Sequence, residues 1–226
     1  MRINCRTLAA LCVLGFSLAG CNRPAEVRYR LRVEVNDRGT IRSGSSVWSF
    51  ALAKSILPLA SPYNSRFRGD AVAVEIPGRG ILFALVDSAA MYPENLFGDR
   101  QRPEVNPPRF SDRVEDLHNI KKMDGATKTL NCVNPAWIGI RCPKLIRFRN
   151  INDPRTLEIV NPENIAELFG NGVNLRKISV EITNDSVTTG IDKILPWISD
   201  MTRYRTDPSN PFTSTLPRDI VYLRGH

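Results

Sequence analysis

The chain has 226 residues, a formal net charge of +8, 24% charged and 42% hydrophobic residues, 16 Pro and 14 Gly. This composition excludes a collagen-like, coiled-coil or wholly disordered chain, which would show a repeat period or a depleted apolar content. It also excludes a polytopic helical membrane protein, because a long apolar run occurs only within the first twenty residues.

Arg2 and Arg6 introduce an 11-residue apolar run, Leu8–Leu18. As a helix, that run covers about half of a hydrocarbon core. It therefore predicts the apolar region of a signal peptide and not an anchor helix. The run ends in Leu18-Ala19-Gly20-Cys21. These four residues resemble the lipobox of bacterial lipoproteins. The resemblance implies cleavage before Cys21, diacylglyceryl transfer to its sulfur and acylation of the new amino terminus. Small residues before the cut admit a protease to the backbone, and a thiol is the nucleophile that lipid transfer needs. An ordinary signal peptide cut after Gly20, with Cys21 incidental, is the alternative. Acyl chains, at about 0.8 kcal/mol per buried methylene, would hold the chain to a bilayer almost irreversibly. The expected organisation is a signal peptide over 1–20 and the lipidated Cys21 with a short tether over 21–26. Asn22 stands where Asp retains lipoproteins in the inner membrane in the well-studied sorting system. It leans toward the outer membrane, periplasmic side.

With Cys5 and Cys12 discarded and Cys21 lipidated, Cys132 and Cys142 remain. In an oxidising compartment an even pair ten residues apart predicts a disulfide, worth about 2–3 kcal/mol in the loop-entropy model. A free thiol pair is the alternative. A zinc site lacks ligands, since the mature chain adds only His118 and His226; no metal and no cofactor is expected. The mature 206 residues carry a formal +6. The arginines are scattered, with no Lys/Arg block, and the exported location also argues against nucleic acid. Partners that suit a mildly basic surface are anionic lipid, lipopolysaccharide or another glycan, or an acidic envelope protein.

Val27 to Val35 alternates strictly between apolar residues and Arg28, Arg30, Arg32 and Glu34, which predicts a strand with one buried and one wet face. Asn36-Asp37-Arg38-Gly39 supplies a turn. Further strands are expected over 40–43 and 46–53, separated by Gly44. Ala71–Ile76 and Ile81–Val86 flank Pro77-Gly78-Arg79-Gly80 and predict a hairpin. Its second strand is apolar on both faces and needs a cover on each, expected to be a helix. Pro93, Pro103, Pro107 and Pro108 weaken the signals over 87–108. A helix is expected over 112–123, with Asp112 as N-cap and Gly125 past its end. Strands follow over 145–149 and 156–160. A helix is expected from Pro162, with Asn161 as cap and Gly170 as stop. Leu175–Thr183 predicts another strand, and Thr189 with Asp192 a short helix start. Pro208, Pro211 and Pro217 make 206–226 an irregular tail. The sum is an α+β fold, mostly antiparallel sheet with a few short helices, in a single domain over 27–205.

Tyr29-Arg30-Leu31, Arg42-Ser43-Gly44-Ser45-Ser46-Val47, Arg68-Gly69-Asp70-Ala71-Val72, Val187-Thr188-Thr189-Gly190-Ile191-Asp192-Lys193 and Leu195-Pro196-Trp197 resemble a family of bacterial envelope lipoproteins with no assigned activity. The resemblance runs over most of the mature chain and implies a lipid-anchored envelope protein, but no reaction. The Pro-rich tail departs from that pattern.

The catalytic signals are sparse. Ser45 and Ser46 lie in a Gly-Ser-Ser turn, and His118 is the only internal base of the usual kind for acyl transfer. No G-x-S-x-G or H-E-x-x-H occurs. Gly170-Asn171-Gly172 follows a helix, so it reads as a cap and not a phosphate loop. Paired carboxylates for glycan hydrolysis are neither indicated nor excluded by the acidic residues. Arg68-Gly69-Asp70 matches an integrin-binding tripeptide but reads as a turn before a strand. Trp137 is expected in the core more than at a contact surface. Arg28, Arg30 and Arg32 form a row about 6.6–7 Å apart on one strand face. The row can take phosphates or carboxylates, or be a solvated face paired with acids across the sheet. The expectation is a non-enzymatic binding module in the envelope. The rivals are a lipid-anchored hydrolase with paired carboxylates and a purely structural envelope component.

Overall fold

The computed structural model describes residues 24–55, 63–86, 92–98, 110–130, 132, 142–199 and 223–225. The expected signal peptide, Cys21, Trp137 and most of the Pro-rich tail lie outside the described residues. The described chain is a sheet-rich α+β structure built almost wholly from antiparallel pairs.

Strand β1 (Ala25–Asp37) buries alternate residues and leaves Arg28, Arg30, Arg32 and Glu34 on the other face, as its period-two pattern dictates. Arg38 (φ 51°) and Gly39 (φ 88°) turn it into β2 (Thr40–Lys54). Two successive positive φ values match the right-handed twist of a tight hairpin, and the Asn36 side-chain oxygen accepts from the Gly39 N–H at 2.9 Å. The remaining strands are β3 (Tyr63–Asp70), β4 (Val72–Ile76), β5 (Gly80–Ala84), β6 (Thr127–Leu130), β7 (Leu145–Phe148), β8 (Leu157–Val160), β9 (Val173–Ile182) and β10 (Arg224–Gly225). They form a six-stranded sheet in the order β10-β3-β2-β1-β9-β6 and a four-stranded sheet in the order β4-β5-β7-β8.

Among the described residues three short helices accompany them: α1 (Tyr92–Phe97), α2 (Phe110–Lys121) and α3 (Ala166–Phe169). The main core joins Tyr29, Leu31 and Val33 of β1 to Trp48 and Phe50 of β2, to Val72, Val74 and Ile76 of β4, and to Leu117 and Ile120 of α2. At its centre Trp48 stands edge-on to Tyr29 and Phe67, with ring centroids 5.8 and 5.6 Å apart. Such pairs add about 0.5–1.5 kcal/mol each beyond the area they bury.

The structure departs from the sequence expectations in several places. Residues 40–54 form one strand, not two. Gly44 is there because β4 crosses β2 at that point: a Cβ on Gly44 would sit 2.0 Å from the Ala73 carbonyl oxygen. Strands β3 and β6 carry almost no apolar pattern because both lie toward the edges of the large sheet. Helix α1 forms inside the proline-rich stretch, since Pro93 falls in its first turn, where no N–H is needed. Helix α2 starts at Phe110, ahead of the expected Asp112 cap. The helix expected from Pro162 shrinks to α3, and Asn161 instead closes a turn by accepting from the Glu163 N–H at 3.0 Å.

The second face of β5 is covered by Ile191, which opens a 3-10 turn, by Leu195 and Ile198 after it, and by Leu223. Leu223 comes from the segment expected to be an irregular tail. Its carbonyl accepts from the Ala71 N–H at 2.9 Å, and Arg224 and Gly225 pair with Asp70 and Gly69. The fold thus reaches past residue 205, because a few residues at the chain end fill a sheet edge and a core position.

Long arginines tie the layers together. Arg79, in the β4–β5 turn, donates to the Phe169 carbonyl at 2.6 Å and approaches Asp37 at 3.7 Å. Arg113 of α2 makes a paired contact with Glu94 of α1, at 2.8 and 2.7 Å, and lies 4.6 Å from the centre of the Tyr63 ring. The Glu94 hydrogen bonds hold that guanidinium above its ordinary range. No helix among the described residues is long and apolar enough to cross a membrane.

Gly44→Ala is expected to destabilise the protein by about 1–3 kcal/mol, because backbone must move to admit the methyl. Urea denaturation checks this against Ser45→Ala, an exposed neighbour, whose midpoint should stay unchanged.

Candidate functional site

Strand β3 leaves the large sheet at Arg68-Gly69-Asp70 and enters β4 of the small sheet after one residue. Gly69 makes the corner possible. Its φ is +134°, and a Cβ there would lie 2.4 Å from Trp48 Cδ1. Asp70 then becomes the junction of four chain segments. Its carbonyl accepts from Trp48 Nε1 at 2.6 Å and from Ser46 Oγ at 2.7 Å. Its N–H donates to the Thr188 carbonyl at 3.1 Å. Its carboxylate accepts from the Ile191 N–H at 2.9 Å through one oxygen and lies 3.5 Å from Arg224 Nε through the other. The Asp70 side chain is 5% exposed.

Thr188 fills the place beside β2 that β3 vacates. Its N–H donates to the Val47 carbonyl at 2.9 Å, and its hydroxyl accepts from the Val47 N–H at 2.8 Å. Gly190 turns the chain with φ 111°, and a 3-10 turn over Ile191–Lys193 follows. Arg224 bridges outward to Asp192 at 3.7 Å.

These segments enclose a cleft of about 520 Å³. Arg68, Lys193 and Arg224 border it with positive charge; Asp70 and Asp192 border it with negative charge. The Asp70 carboxylate is spent on structure, whereas Arg68 is exposed and Asp192 and Lys193 face solvent. Three glycines, Gly69, Gly190 and Gly225, line it too and leave backbone within reach of a ligand. The cleft can hold an anionic group by charge-assisted hydrogen bonds. Three of the segments quoted for the lipoprotein resemblance supply its walls or back them: Ser46 and Val47, Arg68 to Asp70, and Val187 to Lys193.

The residues singled out in the sequence lie elsewhere. Arg28, Arg30 and Arg32 do share a face of β1. Arg30 donates to Glu181 at 3.0 Å and also binds Asp185. Arg28 reaches Glu26 at 3.5 Å and the Asn184 and Asp185 carbonyls at 3.4 and 3.3 Å. Arg32 is exposed, with no acid partner among the described residues. Most of the row is therefore engaged across the sheet. Cys132 and Cys142 are joined, with Cα atoms 5.4 Å apart, and pack against the main core. Ser46 is buried and donates to Asp70; His118 is exposed on α2. The Arg68-Gly69-Asp70 tripeptide is not displayed, because its aspartate is buried. No cluster of three or more His, Cys, Asp or Glu suited to a metal occurs among the described residues.

The cleft was not legible from sequence, since its charges come from positions 68, 193 and 224. The one signal was Arg68-Gly69-Asp70, whose glycine marks a corner and whose acid precedes an apolar strand.

Asp70→Ala leaves the Ile191 N–H without its acceptor and Arg224 with a weaker partner. Its expected cost is about 1–3 kcal/mol, measured as a lowered urea midpoint, with Asp192→Ala nearly neutral. Comparison of the chain with protein-family models, with curated proteins and with solved structures gave no match.

Proposed function

We propose that this chain is a bacterial envelope lipoprotein, tethered through Cys21 and facing the periplasm from the outer membrane. We propose further that its mature part is one domain acting as a non-enzymatic binding module. The observation that carries the binding reading is the cleft beside the β3–β4 corner. There Arg224, Asp70 and Asp192 are paired with one another, and Arg68 and Lys193 stand beside them with no acid partner among the described residues. A ligand or partner segment bearing carboxylate or phosphate groups fits such a border, because guanidinium and ammonium groups supply several charge-assisted donors. Two unpaired cations on a concave wall also raise the local concentration of anions.

The second reading is a hydrolase with paired carboxylates, favoured by Asp70 and Asp192 bordering the same cleft. It needs Asp70 to be released from Ile191 and Arg224 before either oxygen can act on a substrate. The structure holds both oxygens, so the binding reading is preferred.

Two measurements test the proposal. Cys21→Ser should abolish incorporation of radiolabelled palmitate and release the protein from membranes; unchanged fractionation would overturn the anchor. For the cleft, the full chain in detergent is titrated with lipopolysaccharide. Arg68→Glu combined with Lys193→Glu should weaken binding about tenfold, equal to about 1.4 kcal/mol, and flatten its salt dependence. Equal affinity in the double variant, with an unchanged melting temperature, would show that the cleft does not take this ligand. Turnover of a glycan lost on Asp192→Asn would instead support the hydrolase.

A further inference from the structure

The end of the fold that carries the first residues of β1 is crowded with exposed cations. Helix α2 packs on β1 and brings its last residue, Lys121, beside the start of the strand. Glu26, Arg28, Lys121 and Asn184 line a shallow recess of about 120 Å³ there. Lys121, Lys122, Met123 and Lys128 are all exposed, Met123 to 41%. The turn that carries Met123 is fixed in place. Gly125 N–H donates to the Ile182 carbonyl at 2.8 Å, and Ile182 N–H donates to the Ala126 carbonyl at 2.9 Å. Ile182 is the cross-strand neighbour of Tyr29, so this turn stands level with the beginning of β1.

Arg28 has only long contacts, between 3.3 and 3.5 Å, and a guanidinium carries five donors. It keeps capacity for a further oxygen acceptor. Lys122 contacts Asn119 at 3.2 Å; Lys121 and Lys128 have no acid partner among the described residues. The acids at this end are Glu26, Asp124, Asp185 and Glu181, the last two bound to Arg30.

The position of this end is set by the tether. Four peptide units separate Cys21 from Ala25, and at no more than about 3.6 Å each they span about 14 Å. With Cys21 acylated, the start of β1 cannot move farther than that from the headgroup layer. The basic end, with one exposed thioether among the lysines, is then within contact range of phosphodiester groups. Lys and Arg near an anionic leaflet are drawn to it over roughly a Debye length, about 8–10 Å.

We propose that this end of the domain, formed by Arg28, Lys121, Lys122 and Met123, lies against the bilayer that holds the lipid anchor. Arg28 and Lys121 bind phosphodiester headgroups, and Met123 enters the interface. This rests on acylation of Cys21. The consequence is a fixed orientation: the β1–β2 turn, at the far end of β1, points into the periplasm, and the lipoprotein does not swing freely on its tether.

The full lipidated chain carrying Met123→Cys tests it. In the mature chain Cys132 and Cys142 are joined and Cys21 is consumed, so one nitroxide label per chain is expected. The labelled protein is placed in vesicles of phosphatidylethanolamine and phosphatidylglycerol. Collision with a water-soluble nickel chelate is compared with that of Ile159→Cys, whose position on β8 is 62% exposed. The expected collision rate is about fivefold lower at 123 than at 159. Arg28→Glu with Lys121→Glu and Lys122→Glu should bring it back to within about twofold, since the attraction is electrostatic. Equal rates at 123 and 159 in singly labelled protein would overturn the proposal while leaving the anchor intact. Two labels per chain would show that Cys21 carries no lipid, and the proposal would fall with the anchor.

Discussion

The buried Asp70 is the interaction on which the arrangement depends. A polypeptide that passes from one sheet to another must stop pairing in the first before it starts in the second. The backbone groups freed at that corner need partners. Here Trp48, Ser46, Thr188 and Ile191 supply or use those partners, and Arg224 stands beside the charge. One residue therefore holds together the middle of β2, the β3–β4 corner, the segment before the 3-10 turn and the chain end. A buried carboxylate is stable only when hydrogen-bonded or paired. That requirement makes distant segments converge, and the cleft is the concave space left where they meet.

The excess of arginine has two uses in this fold. Arg79, Arg113 and Arg147 are internal ties: their stems lie along apolar surface, and their heads reach carbonyls or carboxylates on another layer. Arg147 pairs with Glu158 across the β7–β8 ladder and lies 5.5 Å from the Phe169 ring centre. Arg28, Arg68 and Arg224 instead stand at the borders of recesses. Residue type alone does not separate the two uses, because both need the same long planar cation.

Strong local periodicity was legible. The nine-residue alternation in β1, the Arg38-Gly39 turn and the Pro77–Gly80 turn each specify their structure through side-chain period or backbone φ. The weakly patterned segments were not. Strand β3 reads Tyr-Asn-Ser-Arg-Phe-Arg-Gly-Asp and becomes a strand because β2 offers a partner edge. Strand β6, Thr-Lys-Thr-Leu, is recruited by β9 in the same way. The cover over β5 was required by two apolar faces, but its source in residues 191–198 and 223 could not be read from any local rule. Gly44 looked like a break between strands, because its local signal is the same whether a glycine ends a strand or admits a crossing one.

By itself, the sequence determined the apolar run over 8–18, the thiol that follows it, the pairing candidates Cys132 and Cys142, and the wet and buried faces of β1. Each is a property of residues adjacent in the chain or related by a fixed short period. The tertiary structure alone decided that Arg30 is neutralised by Glu181 and Asp185, that Asp70 is buried, and that Arg68, Lys193 and Arg224 border one cleft. It alone also placed Lys121 and Met123 beside the start of β1. Those are relations between residues far apart in the chain, set by which strands pair and where the chain must turn a corner with every backbone group satisfied.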